Sequence, residues 1–367
     1  MIMRLNVVVW FAVLLSVTHL PASDNNEEPF QLQCSDGFVL DGKIALPADT
    51  GLDGVKKVVI LIHGSGAQSM DADLSFVTKG GKKNLFFKEV SETLSQAGFA
   101  VVRYNKRSYQ TGLKKKEDPA FLNSKLFQEY AENPLKFFVD DAKDCVKFCQ
   151  ERFPGAEIFL LGHSQGTYVA LQVAHQMPEI KGVALIGFAV SASDVLVFEQ
   201  TVYRPLHWFD KLDTDNNDEL DAKELEVQDA IAASLRGQMA VLDLDSDQNI
   251  SRTEFKAGNF SNLIAHDLTA PLRKQEALYP TVPEILKSAS FKVAFFQGML
   301  DNQTPAYHAK AVELIARHVW KKQNFSFTYF PGLGHVLDHR SGYYDLQFET
   351  ITPQAKEKLA AALAEFF

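Results

Sequence analysis

Residues 158–161 are an unbroken apolar run, Ile-Phe-Leu-Leu, which leads without a spacer into Gly162-His163-Ser164-Gln165-Gly166. Beyond them Ala170 and Ala174 recur at helical spacing. A strand, a five-residue turn with glycine at both ends and serine in the middle, then a helix is the context in which such a serine stands exposed as a nucleophile. The turn is so tight that side chains at its first and last positions would collide with the adjoining strand and helix. The small residues after it let the helix lie close on a sheet. The pentapeptide fixes just three positions and occurs by chance in many chains, so its weight comes from the flanking strand and helix.

Around this element apolar runs alternate with amphipathic stretches. Strands are expected at 58–62, 100–104, 158–161, 183–189, 292–296 and 325–330, and helices at 85–97, 137–153, 168–177, 306–322 and 354–367. Gly98 ends the first helix, while Thr304-Pro305 and Thr352-Pro353 start the last two as N-cap and first helical residue. Such alternation specifies an α/β fold, a doubly wound and mostly parallel sheet covered on both faces. The segment 31–46, with Asp36-Gly37 and Asp41-Gly42 read as turns, adds antiparallel strands at one edge. From 191 to 287 the alternation lapses into helical, acidic sequence, as expected of a lid inserted at the ligand-binding edge of a sheet. The expected organisation is a signal peptide over 1–22, a core domain of 23–191 plus 288–367, and a helical cap over 192–287. The basic patches 79–83 and 114–116 read as solvated loop charge.

With 367 residues, 46% of them hydrophobic, the chain can bury one large core with an insertion, or two domains. A net charge of -9 argues against nucleic acid or an anionic membrane surface as partner, since the long-range field repels both. A small molecule or a neutral polymer is expected instead, and oligomeric state is left open. Residues 5–20 form an apolar stretch after Arg4, and Leu20-Pro21-Ala22 offers a small residue for cleavage before the polar run 23–28. This is the pattern of a secretory signal peptide, short for a membrane anchor, and the expected product is secreted or periplasmic with no span after cleavage. An oxidising compartment favours disulfides, yet the chain has only Cys34, Cys145 and Cys149. Cys145 and Cys149 share a helical pattern with Phe138, Ala142 and Val146, which suits core packing, and an i, i+4 pair has poor disulfide geometry.

A serine nucleophile needs a base, the base needs an orienting acid, and the tetrahedral oxyanion needs two preorganised N–H donors. Asp301 lies just past the strand at 292–296 and His335 in the loop after the final strand. The acid competes with Asp194, and His335 with His339; Gly334 suits a tight loop at His335. His163 and His175 are expected to be core or surface histidines. His63-Gly64-Ser65-Gly66 follows the strand at 58–62, and the amides of Ser65 and Gln165 are assigned to the oxyanion hole. The order Ser164, Asp301, His335 and their strand-end positions resemble the α/β-hydrolase family, as does Gly98-Phe99-Ala100-Val101-Val102-Arg103-Tyr104, a run similar to one in its esterase and acyl-hydrolase branches. The resemblance covers about 31–191 and 287–367. It implies a serine hydrolase cleaving an ester or related acyl bond with no organic cofactor, or a thioesterase or peptidase with the same triad.

The insertion holds two acidic twelve-residue segments, 213–224 and 243–254. Asp213, Asp215, Asn217 and Asp221 in the first, and Asp243, Asp245, Asp247 and Ser251 in the second, place oxygen at positions 1, 3, 5 and 9. Glu219 and Asn249 stand at position 7, Leu220 and Ile250 at position 8, and Glu224 and Glu254 at position 12. The pattern resembles paired EF-hand loops, which implies one or two calcium ions, a structural or regulatory role for them, and a short pairing of Leu220 with Ile250. Asp218 and Gln248 replace the usual glycine at position 6, where a positive φ costs glutamine roughly 1 kcal/mol. The stretch 225–242 is short for the two helices between such loops. None of these residues belongs to the triad, so calcium is expected to position the lid. The rival of another class is a calcium-dependent binding protein on a hydrolase scaffold.

Overall fold

The structure is a computed structural model and describes residues 27–47, 50–267, 269–343 and 345–367. The expected signal peptide at 1–22 lies outside the described residues. β1 (Glu27–Gln33) and β2 (Val39–Ala45) form an antiparallel hairpin, followed by β3 (Lys57–Ile62), β4 (Ala100–Tyr104), β5 (Glu157–His163) and β6 (Gly182–Ile186). β7 (Glu219–Leu220) and β8 (Ile250–Ser251) lie in the insertion, and β9 (Lys292–Gly298) and β10 (Phe325–Phe330) follow it. The main sheet has eight strands in the order β1-β2-β4-β3-β5-β6-β9-β10, parallel from β4 to β10.

Successive residues of a strand face opposite sides of the sheet, so a strand buried on both faces must be apolar throughout. Val58 and Ile60 of β3 join Leu160, Leu185 and Phe295 in one core, whereas Val59 and Leu61 join Phe159, Leu161, Ile186 and Phe296 in another. The helices Pro134–Arg152 and Gln165–Gln176 cover the first core. Phe86–Gln96 and Pro353–Phe366 cover the second. Cys34, Cys145 and Cys149 are buried in the first core as free thiols.

The insertion builds a small core of its own, in which Phe209, Leu212, Leu220, Leu225, Leu242, Ile250 and Phe255 pack together. Leu220 pairs with Ile250 across the β7–β8 ribbon. The short stretch between the loops holds both intervening helices, because the first is cut to a single turn, Ala222–Leu225, ahead of Ala230–Leu242.

Several local expectations need correction. Asp41-Gly42 is no turn but lies inside β2, where a Cβ on Gly42 would stand 2.8 Å from Arg103 O and run into the Phe30 ring. The chain reverses at Asp36-Gly37, with Gly37 at φ +86°. β6 stops at Ile186 instead of residue 189, because Gly187 turns left-handed at φ +62°. Thr304 does not cap a helix. The helix Tyr307–His318 starts after it, and the threonine hydroxyl turns to Asp301. Thr352 does cap, accepting from the Ala355 N–H. Lys114, Lys115 and Lys116 lie in the last turn of a helix, Arg107–Glu117, where cations complement the helix dipole.

Candidate active site

Ser164 sits where β5 meets its helix, with φ +55° and ψ -122°, backbone angles that a non-glycine residue holds only when its surroundings impose them. The surroundings are backbone. A Cβ on Gly162 would run into Gly166 O, and one on Gly166 into Ile62 O, at 2.7 Å from His63 O as well. Strand, turn and helix therefore close on each other as the pentapeptide requires. The Ser164 N–H donates to Ile186 O at 2.9 Å, which pins the turn to the end of β6.

Asp301 follows β9 and is fully buried, and His335 lies in the loop after β10. His335 Nδ1 is 2.9 Å from Asp301 Oδ2 and 3.0 Å from Oδ1. The carboxylate also accepts from the amides of Gln303 (2.8 Å) and Thr304 (2.9 Å), the Thr304 hydroxyl (2.8 Å) and Gln297 Nε2 (3.0 Å). Burial alone would raise its pKa, yet the facing imidazole and the Thr304 donors hold the carboxyl below its ordinary value. A Cβ on Gly187 would lie 2.8 Å from His335 Cε1, so the imidazole rests against the residue next to the one that holds the Ser164 amide. The Ser164 amide and the His335 ring thus lie against consecutive residues, Ile186 and Gly187, with Asp301 behind the imidazole.

The competing residues lie elsewhere. Asp194 belongs to a helix of the insertion, Ser193–Phe198, and pairs with Arg273 at 2.8 Å. His339 and His175 are exposed. His163 is buried with its Nε2 3.3 Å from His335 O; burial first, then the neighbouring His335, depresses its pKa well below normal and keeps the ring neutral.

The loop after β3 passes close to the elbow. A Cβ on Gly64 would stand 3.2 Å from Ser164 Cβ, which puts Ser65 beside the serine. Gln165 opens the helix Gln165–Gln176, and the first N–H groups of a helix have no partner within it. Two residues near the site carry no motif signal, Lys106, buried beneath the loop after β3, and Gln297, which donates to Asp301, while the signal of Thr304 was that of an N-cap. The insertion touches the loop after β9 through Gln200, donating to Gln303 O at 2.7 Å, and Arg204, donating to Gln303 Oε1 at 2.6 Å. Gln200 lies within, and Arg204 directly follows, a π-helical turn over Glu199–Tyr203, a distortion found often at functional sites.

The two acidic loops adopt matching conformations. In the first, Asp213 accepts from the N–H groups of Asn217 and Asp218 at 3.1 Å, and Glu224 Oε1 accepts from Thr214 N–H at 2.6 Å. In the second, Asp243 accepts from Asp247 and Gln248 N–H at 3.1 and 3.0 Å, and Glu254 Oε1 from Leu244 N–H at 2.6 Å. Position 6 is left-handed in both, at φ +65° for Asp218 and +75° for Gln248. Carboxylate oxygens of Asp213, Asp215 and Glu224 lie within 4.8 Å of one another, as do those of Asp243, Asp245 and Asp247. Asp221 and Ser251 use side-chain oxygens to cap the following helices, and Asn249 donates to Glu219 across the two loops at 3.3 Å. Arg252 of the second loop spans to Asp210 and Asp218, at 2.6 and 2.5 Å.

Residues 54–264 match the family model described as Hydrolase_4, serine aminopeptidase, S33. Over 164 residues the chain is 29% identical to esterase EstD of Thermotoga maritima, which is 45% of this chain but 34% of that protein, so the chain spans about a third of that relative's length. Among solved structures, a lipase in its open form matches with a TM-score of 0.50 at 15% identity, covering 93% of this chain and 97% of that one. An esterase domain from a Rhodothermus marinus protein matches with a TM-score of 0.48 at 17% identity, covering 92% and 98%.

Proposed function

The chain belongs to the Hydrolase_4 family, the S33 group of α/β-hydrolases, and on that premise we propose that it is a serine hydrolase of carboxylesterase type that works through an acyl-enzyme. Ser164 attacks the ester carbonyl as His335 Nε2 takes its proton. Asp301 holds the imidazole in the tautomer with its proton on Nδ1 and stabilises the imidazolium. The amides of Ser65 and Gln165 receive the oxyanion. His335 then returns the proton to the leaving alcohol, and a water repeats the sequence to free the acid. The observation that carries this reading is the contact of His335 Nδ1 with both oxygens of a buried, ionised Asp301, at the corner that also fixes the strained Ser164.

The cap is read as a calcium-stabilised lid on an exported enzyme. Asp213, Asp215, Asn217 and Glu224 would hold an ion in the first loop, and Asp243, Asp245, Asp247 and Glu254 in the second. The left-handed residue at position 6 of each loop and the converging carboxylates suit a hard cation with oxygen ligands. Bound calcium would supply charge neutralisation among these carboxylates; neither loop contributes to the triad. Extracellular sites of this kind bind at ~10⁻⁴ to 10⁻³ M, so ambient calcium would load an exported protein. Export is supported by the pattern at 1–22 alone.

Turnover of a panel of p-nitrophenyl acyl esters by the mature protein and Ser164→Ala, with millimolar calcium and with chelator, tests the reading. Loss of turnover in the variant and reduction by chelator are expected. The family's description as serine aminopeptidase makes aminoacyl p-nitroanilides the second arm. Cleavage of these in place of esters would move the peptidase reading first, and turnover of neither would favour a binding protein on the same scaffold.

A further inference from the structure

Lys106 follows β4 and is 5% exposed, yet its ammonium meets no carboxylate among the described residues. Carboxylates are at hand. Asp141 and Asp36 pair with the neighbouring Arg107, Asp141 Oδ2 lying 2.9 Å from Arg107 Nε and Asp36 Oδ2 2.7 Å from Arg107 Nη1. A buried charge without a counterion persists only where dipoles replace its water. Here Nζ donates to Gly64 O at 2.6 Å and to Gln165 Oε1 at 2.8 Å, and stands 4.2 Å from the centre of the Phe138 ring.

Gly64 O and the Ser65 N–H belong to one planar trans peptide and point in opposite directions, so whatever holds the carbonyl fixes the aim of the N–H. A cation on that carbonyl also polarises the amide and makes its N–H a stronger donor. The same ammonium restrains Gln165, whose amide is the other proposed donor. The rest of the loop is tied to the same segment. Lys106 N–H donates to Gln68 O at 3.1 Å, the Ser108 hydroxyl to Gly66 O at 3.0 Å, and Met70 N–H to Asn105 Oδ1 at 2.8 Å.

We propose that Lys106 is a positioning residue for the oxyanion hole: its ammonium orients and polarises the Gly64–Ser65 peptide and locks it to Gln165. This inference rests on the hydrolase reading above. A protonation dependence follows, because burial pulls the ammonium down to about 7. The ionisable groups around it are His63 from the end of β3, Tyr104 from β4, Arg107 on its own segment and Asp141 from the helix Pro134–Arg152. His63 is held neutral by burial and then by Lys106, at about 3, while burial raises Tyr104 far above its normal value. Loss of the ammonium proton above neutrality weakens the polarisation, so wild-type kcat declines as pH rises through about 7.

The test is steady-state hydrolysis of p-nitrophenyl acetate, with phenylboronic acid as the tetrahedral-adduct probe, by wild type, Lys106→Met, Lys106→Gln and Lys106→Arg. Removing the ammonium lowers kcat about 10- to 100-fold, somewhat less than deletion of an oxyanion donor itself. KM stays within about twofold, the boronate inhibition constant rises by the same factor as kcat falls, and the decline near neutral pH disappears. Arginine restores part of kcat. An active wild type alongside Met and Gln variants that keep kcat, or that lose kcat with no loss of boronate affinity, would overturn the assignment alone. A wild type inert towards the ester would overturn the hydrolase reading beneath it.

Discussion

Gly187→Ala isolates the contact that places the histidine. Gly187 holds φ +62°, a left-handed conformation that costs an L-residue roughly 1 kcal/mol. Its new Cβ would stand 2.8 Å from His335 Cε1 and 2.9 Å from Nδ1, about half an ångström inside ordinary contact. The ring cannot recede freely, because both oxygens of the buried Asp301 hold its Nδ1. Crowding of this kind in a packed interior adds about 1–3 kcal/mol, so the total loss of stability is about 2–4 kcal/mol. Misplacement of a reacting group by 1 Å costs about 10²-fold in rate, and half that displacement about 10-fold in kcat. Gly155→Ala is the control, since Gly155 is also left-handed, at φ +84°, but nothing lies within 4 Å of the added carbon. It should lose roughly 1 kcal/mol and no activity. Guanidinium titrations and p-nitrophenyl acetate kinetics on the two variants give both numbers. If Gly187→Ala kept the kcat of Gly155→Ala, His335 would not be the base, or would not sit against Gly187 during turnover.

Asp301→Asn leaves the shape of the acid loop but removes the charge that orients and stabilises the imidazolium, so kcat should fall about 10⁴-fold, whereas Asp194→Asn should stay within about twofold of wild type; the reverse ranking in ester assays would move the acid to the cap. The ammonium of Lys106 drops from 10.5 to about 7 on folding, so the unfolded chain binds more protons between those limits and stability rises with pH across that window. Lys106→Met lacks this slope, so its stability relative to wild type should fall by roughly 1 kcal/mol per unit between pH 7 and 9 in guanidinium titrations; a difference independent of pH would show the lysine does not titrate there. Chelation should lower the melting temperature of the whole chain, and Glu224→Gln should remove one calorimetric calcium-binding event while leaving the second; no calcium heat at millimolar concentration would refute the metal assignment.

The fold was legible because its strands are short apolar runs in a chain of amphipathic helices, and a sheet covered on both faces demands that pattern. β3, β4, β5 and β9 begin within a residue of the apolar runs that announced them. The local errors have physical causes. Asp41-Gly42 has turn composition, but Gly42 is small for a different reason, since Phe30 packs over it from the adjacent strand. Thr304-Pro305 has the form of a helix start, yet the buried carboxylate of Asp301, three residues earlier in the same loop, competes for the hydroxyl and wins. Gln297 and Lys106 are the site neighbours no motif could reveal. Each is an ordinary polar residue whose role depends on what it is buried against, Asp301 four residues on for Gln297 and Gly64 on a different strand's loop for Lys106. The matching conformation of the two acidic loops follows their repeated sequence, while the capping roles of two of their residues did not show in it. Asp221 and Ser251 spend their side-chain oxygens on helix caps, a use set by the geometry of the turn that follows.

The most direct test of the account is covalent labelling by a fluorophosphonate, followed by peptide mass spectrometry, on wild type and on His335→Ala. The account predicts one adduct, on Ser164, formed rapidly in wild type and slowed by about 10³-fold or more once the base is gone. An adduct on another serine, or labelling of Ser164 at equal rate without His335, would contradict it.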